Sequence, residues 1–152
     1  MRNVTVLLIS AAKPCFFALY DENGEMIEQE SCDKPLTESL YVLMSAAERR
    51  YSIKRVLYVN GPGSFMGLKL GFVFMRTFAL AREIDFAACD SFAITGGAPV
   101  FSHKNRWFVK NGSSIELIRF ENPPENRLIP PKKLNMANFS GDTTPCYLLP
   151  AV

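Results

Sequence analysis

Residues 60–67, Asn60-Gly61-Pro62-Gly63-Ser64-Phe65-Met66-Gly67, set three glycines and a serine between a hydrophobic run and a long apolar segment. A glycine turn ahead of a helix exposes backbone N–H groups at the positive end of the helix dipole, where a phosphate or carboxylate can bind. Gly61, Gly63, Ser64 and Gly67 therefore form a candidate anion-binding loop. The simpler reading is that Gly61 and Gly63 let the backbone turn around Pro62 while Ser64 caps the helix. Neither nucleotide signature is met. A Walker loop requires G-x-x-x-x-G-K-[ST], and Lys69 lies two residues beyond Gly67. The dinucleotide fingerprint requires its third glycine where Met66 stands.

Other chemistry is sparse. Cys15, Cys32, Cys89 and Cys146 are far apart with no C-x-x-C pair, and His103 is the single histidine, so no zinc set assembles and the cysteines are expected to be reduced thiols. No H-x-x-x-H pair and no G-x-S-x-G elbow occur, and Ser64 has no evident base. Asp21-Glu22 and Glu83 with Asp85 read as solvated carboxylates, His103 as a surface histidine and Trp107 as a packing residue. No catalytic residue and no metal ligand is assigned. With 17 Lys and Arg against 15 Asp and Glu, scattered in ones and twos, the net charge of +2 offers no field to capture nucleic acid unaided. The opening run Val4 to Ser10 is too short for a signal segment or a membrane span, which predicts a cytoplasmic protein.

The elements that must position the loop follow from hydrophobic pattern. Residues 4–10 and 15–20 have strand length and composition, and Asn23-Gly24 predicts a tight hairpin, with both residues at positive φ, into a third strand at 26–30. Asp33 is the expected cap of a first helix, with Pro35 in its first turn and a stripe of Leu36, Leu40, Leu43, Met44 and Ala47. A buried strand at 55–60 leads into the glycine loop, a second helix to Arg82, a short strand at 86–89 and a further helix from about Asp90. The order β-β-β-α-β-α-β describes an α/β fold with a mixed five-stranded sheet, the pattern of the ribonuclease-H-like half of actin-type folds. Residues 1–100 form this domain. Residues 101–152 read as a reduced second subdomain, a hairpin around Asn111-Gly112 and a tail whose four prolines within 121–133 exclude regular structure.

The second helix is apolar nearly all round, so a single sheet cannot cover it. The first also carries Tyr41 and Val42 off its main stripe. Surplus apolar surface on two neighbouring helices predicts a protein interface. Its candidate residues are Leu36, Leu40, Leu43, Met44 and Ala47 on the first helix and Leu68, Phe72, Met75 and Ala79 on the second.

The segment NGPGSFMGLKLG resembles the G-P-G-S-F-T-G-[LV]-R-I-G signature of the TsaB family, also called YeaZ, with Met66 for threonine, Lys69 for arginine and Leu70 for isoleucine; CDSFAI is similar to a following V-S-[ST]-L segment. The resemblance spans residues 1–100. It implies an actin-like, sugar-kinase-like (ASKHA) fold and a non-catalytic role in making threonylcarbamoyladenosine in tRNA. It also implies a TsaD-like transferase bound through the first two helices, a TsaE-like ATPase as a further partner, and tRNA reached indirectly; without its partner, the apolar patch on these helices is expected to pair two copies as a homodimer. No cofactor is expected on this chain by itself, with ATP or ADP held at the hetero-complex interface. The departures remove enzymatic parts. The usual I-D-T at the end of the first strand is Ile9-Ser10-Ala11, the H-[ST]-[EQ] motif is Leu36-Thr37-Glu38, no D-A-R segment follows, and the second domain is short. The alternative is a nucleotide-binding phosphotransferase or hydrolase of the actin-like superfamily, and a third reading is a degenerate homodimer paired through the same helices.

Overall fold

Strand β1 (Asn3–Ile9) is buried after its first residue, because it lies mid-sheet with both faces covered, and its sequence is accordingly a continuous apolar run rather than an alternating one. The computed structural model describes residues 1–32 and 34–148; the expected cap Asp33 lies outside them. Around β1 stand β2 (Cys15–Tyr20), β3 (Met26–Cys32), β4 (Ser52–Val59) and β5 (Asp85–Cys89) in the order β3-β2-β1-β4-β5. The first three strands are antiparallel neighbours, and β4 and β5 join in parallel. Helices α1 (Leu36–Arg50) and α2 (Phe65–Arg82) make the crossovers, and α3 (Ser91–Thr95) follows β5. This is the element order and sheet expected from the sequence.

Local chemistry sets the boundaries. At the β2–β3 turn only Gly24, at φ 80°, enters the left-handed region, whereas a tight hairpin would put Asn23 there too. The carboxylate of Asp21 replaces that geometry by accepting the N–H groups of Asn23 and Glu25, both at 2.9 Å. Pro35 occupies the N-cap position of α1 itself. Ser64 caps α2 by accepting the Gly67 N–H, and Asp90 caps α3 by accepting the Ala93 N–H at 2.9 Å.

The two faces of the sheet bury different partners. On one, Val4, Val6, Leu8, Phe17 and Leu19 meet Leu40, Met44 and Ala47 of α1 and Met75, Phe78 and Ala79 of α2. On the other, Leu7, Ile9, Ala18, Tyr20, Leu57 and Val59 meet Phe92 of α3 and residues from the rest of the chain. Those residues include Val100 and Phe108 of a second, three-stranded antiparallel sheet built from β6 (Val100–His103), β7 (Arg106–Asn111) and β8 (Ser114–Arg119). The hairpin expected around Gly112 is the β7–β8 turn, with Gly112 at φ 63°, and β6 is an additional strand beside it. Trp107 packs edge-on against Phe101, ring centres 5.3 Å apart, as a hairpin packing residue.

The proline-rich tail is irregular but strapped to the five-stranded sheet. Leu128 and Leu134 are buried in the second core. The segment bonds through its backbone to Gly24, Met26, Ala88 and Asn60. The Tyr20 hydroxyl donates to the Pro131 carbonyl at 2.7 Å, and the Tyr58 hydroxyl donates to the Thr143 carbonyl.

Burial holds both phenols above their ordinary value of about 10. A raised folded-state pKa means that their contribution is complete below about pH 10 and is lost as pH rises beyond it. The double variant Tyr20→Phe with Tyr58→Phe is expected to be about 2 kcal/mol less stable at neutral pH, roughly 1 kcal/mol per lost hydrogen bond. Its urea midpoint should also fall less steeply than that of the parent above about pH 10.

Candidate functional site

The glycine loop is closed by the end of β1. A Cβ on Gly63 would lie 2.2 Å from the Ala11 carbonyl oxygen, one on Gly67 2.0 Å from the Ser10 carbonyl oxygen, and one on Gly71 2.5 Å from the Ser10 hydroxyl. These glycines let the first turns of α2 press directly on the strand end. The Ser64 N–H donates to the Ala11 carbonyl at 2.6 Å, and the Ser10 hydroxyl donates to the Gly67 carbonyl at 2.8 Å. The other flank is tied by Ser91, whose N–H and hydroxyl donate to the carbonyls of Gly61 and Pro62 at 2.8 and 2.7 Å. Gly61, at φ 111°, lies beneath Cys146, whose N–H donates to the Asn60 carbonyl at 2.7 Å. Of the four candidate anion-loop residues, Gly61 and Gly63 are buried, Gly67 is half-buried, and Ser64 is exposed with its hydroxyl engaged as a helix cap.

Beside the loop, where α1 and α2 begin, lies a crevice of about 840 Å³. Lys13 and Lys34 line it together with Ser64 and Met66, and no carboxylate does so among the described residues. Ser10, in the position of the missing aspartate, is 2 % exposed and is spent on the α2 contact. Among the described residues no three His, Cys, Asp or Glu side chains are placed to hold a metal ion. No described helix is long and apolar enough to cross a membrane.

Leu36 and Leu70 continue the crevice into a groove of about 300 Å³ between the two helices, where Thr37, Val73, Phe74 and Thr77 complete the walls over Leu40. On α2, Met66, Leu70, Val73 and Thr77 follow i, i+4, i+7, i+11 spacing and turn away from the buried Leu68, Gly71, Met75 and Phe78. Val73 is 53 % exposed, Met66 57 %, Leu80 69 % and Tyr41 of α1 69 %. The far end of the helix pair is tied by Arg82, whose guanidinium donates to both Glu48 carboxylate oxygens at 2.9 and 3.0 Å.

Of the interface residues expected from the sequence, Leu36 and Leu40 line this groove, and the others belong to the chain's own packing. Leu40, Met44, Ala47, Leu68, Met75 and Ala79 are buried in the chain's own core, and Leu36, Leu43 and Phe72 are half-buried against it. Leu40, Met44, Ala47, Met75 and Ala79 are covered by β1, β2, β4 and β5, not by the segment after residue 100. Leu68 packs in the other core. The strongest apolar stripe on each helix is the one the sheet takes. The surplus surface lies instead on the weaker stripe of α2 and on Tyr41 and Val42 of α1. The 66-70-73-77 spacing was the signal for it.

This arrangement of strands and helices is that of known proteins. YeaZ from Pseudomonas aeruginosa matches with a TM-score of 0.59 at 14% identity, over 76% of this chain and 64% of that one. This chain has the YeaZ fold. A second solved structure, of an uncharacterized protein with similarity to peptidase YeaZ from Pseudomonas aeruginosa, matches with a TM-score of 0.58 at 16% identity, over 84% of this chain and 70% of that one. The chain thus spans 64 and 70% of the two YeaZ-like structures. No family model and no curated protein matches it. The fold is therefore α/β and actin-like, a mixed sheet flanked by helices.

A methyl group at Gly67 would have to displace the Ser10 carbonyl or α2 itself. Gly67→Ala is expected to cost about 3 kcal/mol or more in urea unfolding. Gly141→Ala, which meets nothing within 4 Å, should change stability by less than about 0.5 kcal/mol.

Proposed function

We propose that this chain is a non-catalytic subunit of an assembly that makes threonylcarbamoyladenosine in tRNA, docking a TsaD-like transferase through the groove between α1 and α2. The observation that carries the reading is an exposed apolar groove on a YeaZ-like fold, beside a glycine loop whose backbone is already engaged. An apolar centre of this kind suits a partner helix laid across it. Lys13 and Lys34 at the adjoining crevice suit an anion shared with the partner, such as an ATP or ADP phosphate, with a TsaE-like ATPase as third component. Without the transferase, the same groove pairs two copies of the chain. Transfer chemistry is left to the partner. The reading as an independent phosphotransferase has less support, since Ser10 and Gly67 bond to each other where such an enzyme needs a carboxylate and an open loop.

Val73→Glu and Thr77→Arg change exposed positions, so the thermal midpoint should hold. Affinity for the TsaD-like protein should fall about thirtyfold or more, as for a central interface residue. Undiminished co-purification refutes the docking site. Normal levels of the modified base in tRNA from cells depleted of this chain refute the pathway.

A further inference from the structure

The β2–β3 register sets Cys15 directly opposite Cys32, at the ends of both strands that open into the crevice. Residues facing one another across antiparallel strands stand about 4.5 or 5.5 Å apart at Cα, according to whether the pair is hydrogen-bonded. Both separations fall within the roughly 4.4–6.8 Å that a disulfide spans. Opposed residues project from the same face of the sheet, and both thiols line the crevice and are half-buried. The other cysteines have no such counterpart. Cys89 faces Val59 across β4 and is buried, and Cys146 lies outside the strands.

We propose that Cys15 and Cys32 form a dithiol modification site, which a small-molecule disulfide of the glutathione class converts into an intramolecular bond. One cysteine thiolate attacks a sulfur of the small disulfide, forming a mixed disulfide and expelling one small thiolate. The second cysteine then attacks the protein sulfur of that adduct and expels the other. Two electrons pass from the protein pair to the reagent, and the two thiol protons end on the two small thiols released. Burial holds the Cys15 thiol above its ordinary range while the Lys13 ammonium works against it, so the exchange needs an oxidant and time. The bond would tie the last residue of β3 to the first of β2, at the root of the short segment through Lys34 and Pro35 that feeds α1.

The site does not depend on the proposed tRNA role. The full chain is treated with oxidised glutathione, weighed intact and mapped by proteolytic fragments. The expected result is loss of the Cys15 and Cys32 thiols together, a Cys15–Cys32 linked fragment from monomer, and a mass lower by two hydrogen atoms. The melting midpoint should rise by several degrees, reversed by dithiothreitol, because the bond restricts the unfolded chain. Cys15→Ser and Cys32→Ser should each carry a glutathione adduct on the remaining member of the pair and show no rise. Separate adducts on both cysteines of the parent chain overturn the proposal, as does a link through Cys89, Cys146 or a second chain. Should a serine variant fail to fold, the fragment map of the parent chain decides alone.

Discussion

Backbone meets backbone where α2 begins, and the layout of the helical face follows from that contact. Gly63, Gly67 and Gly71 carry no side chain against Ala11 and Ser10, so the helix axis comes close enough for the Ser10 hydroxyl to reach the Gly67 carbonyl. With α2 held there, Met75, Phe78 and Ala79 reach the sheet, and α1 fits alongside with Leu40 and Met44 inward. The groove between the helices is the remainder of this packing. A larger residue in the first turns of α2 would lift the helix, opening the core and reshaping the groove together.

The opposite face shows how a short chain covers a large sheet. Tyr20, Leu57 and Val59 are shielded jointly by α3, the small sheet and an irregular segment. Prolines suit such a segment: they lower the conformational freedom lost on ordering and make no demand for a ladder of N–H partners. The two tyrosine hydroxyls supply fixed points on carbonyls that no strand neighbour satisfies.

Much of this was legible in the sequence. The strand and helix order through residue 95 follows from hydrophobic runs and turn residues, and the sheet order follows from that succession. The roles of the helix faces were harder to read. Leu40, Met44 and Met75 are apolar and fully buried, and hydrophobicity alone does not say whether such a residue meets its own sheet or another protein. The rank of the two stripes does, since a core takes the larger and denser one. The glycine loop was ambiguous because a glycine that admits a phosphate and a glycine that admits a neighbouring backbone look alike until the facing atoms are placed. The route of the tail depends on contacts far apart in sequence, which no local pattern carries, whereas β6 is a four-residue strand that pairs with the adjacent β7 and is too short to stand out in the hydrophobic pattern. The β2–β3 turn departs from the tight-hairpin pattern at Asn23 because the carboxylate of Asp21, two residues away, organises it instead.

The strap from Lys132 to Ser140 also touches both margins of the five-stranded sheet. It exchanges backbone hydrogen bonds with Gly24 and Met26 at the start of β3 and with Ala88 on the open side of β5. Bare strand edges are templates for pairing with other chains, and proteins commonly blunt them with a covering loop or a charged side chain. Here β3 adds Glu28 and Glu30 along the stretch that the strap leaves uncovered. A fragment lacking this last segment would therefore present two unshielded edges as well as a thinner core, and self-association through them would compete with folding.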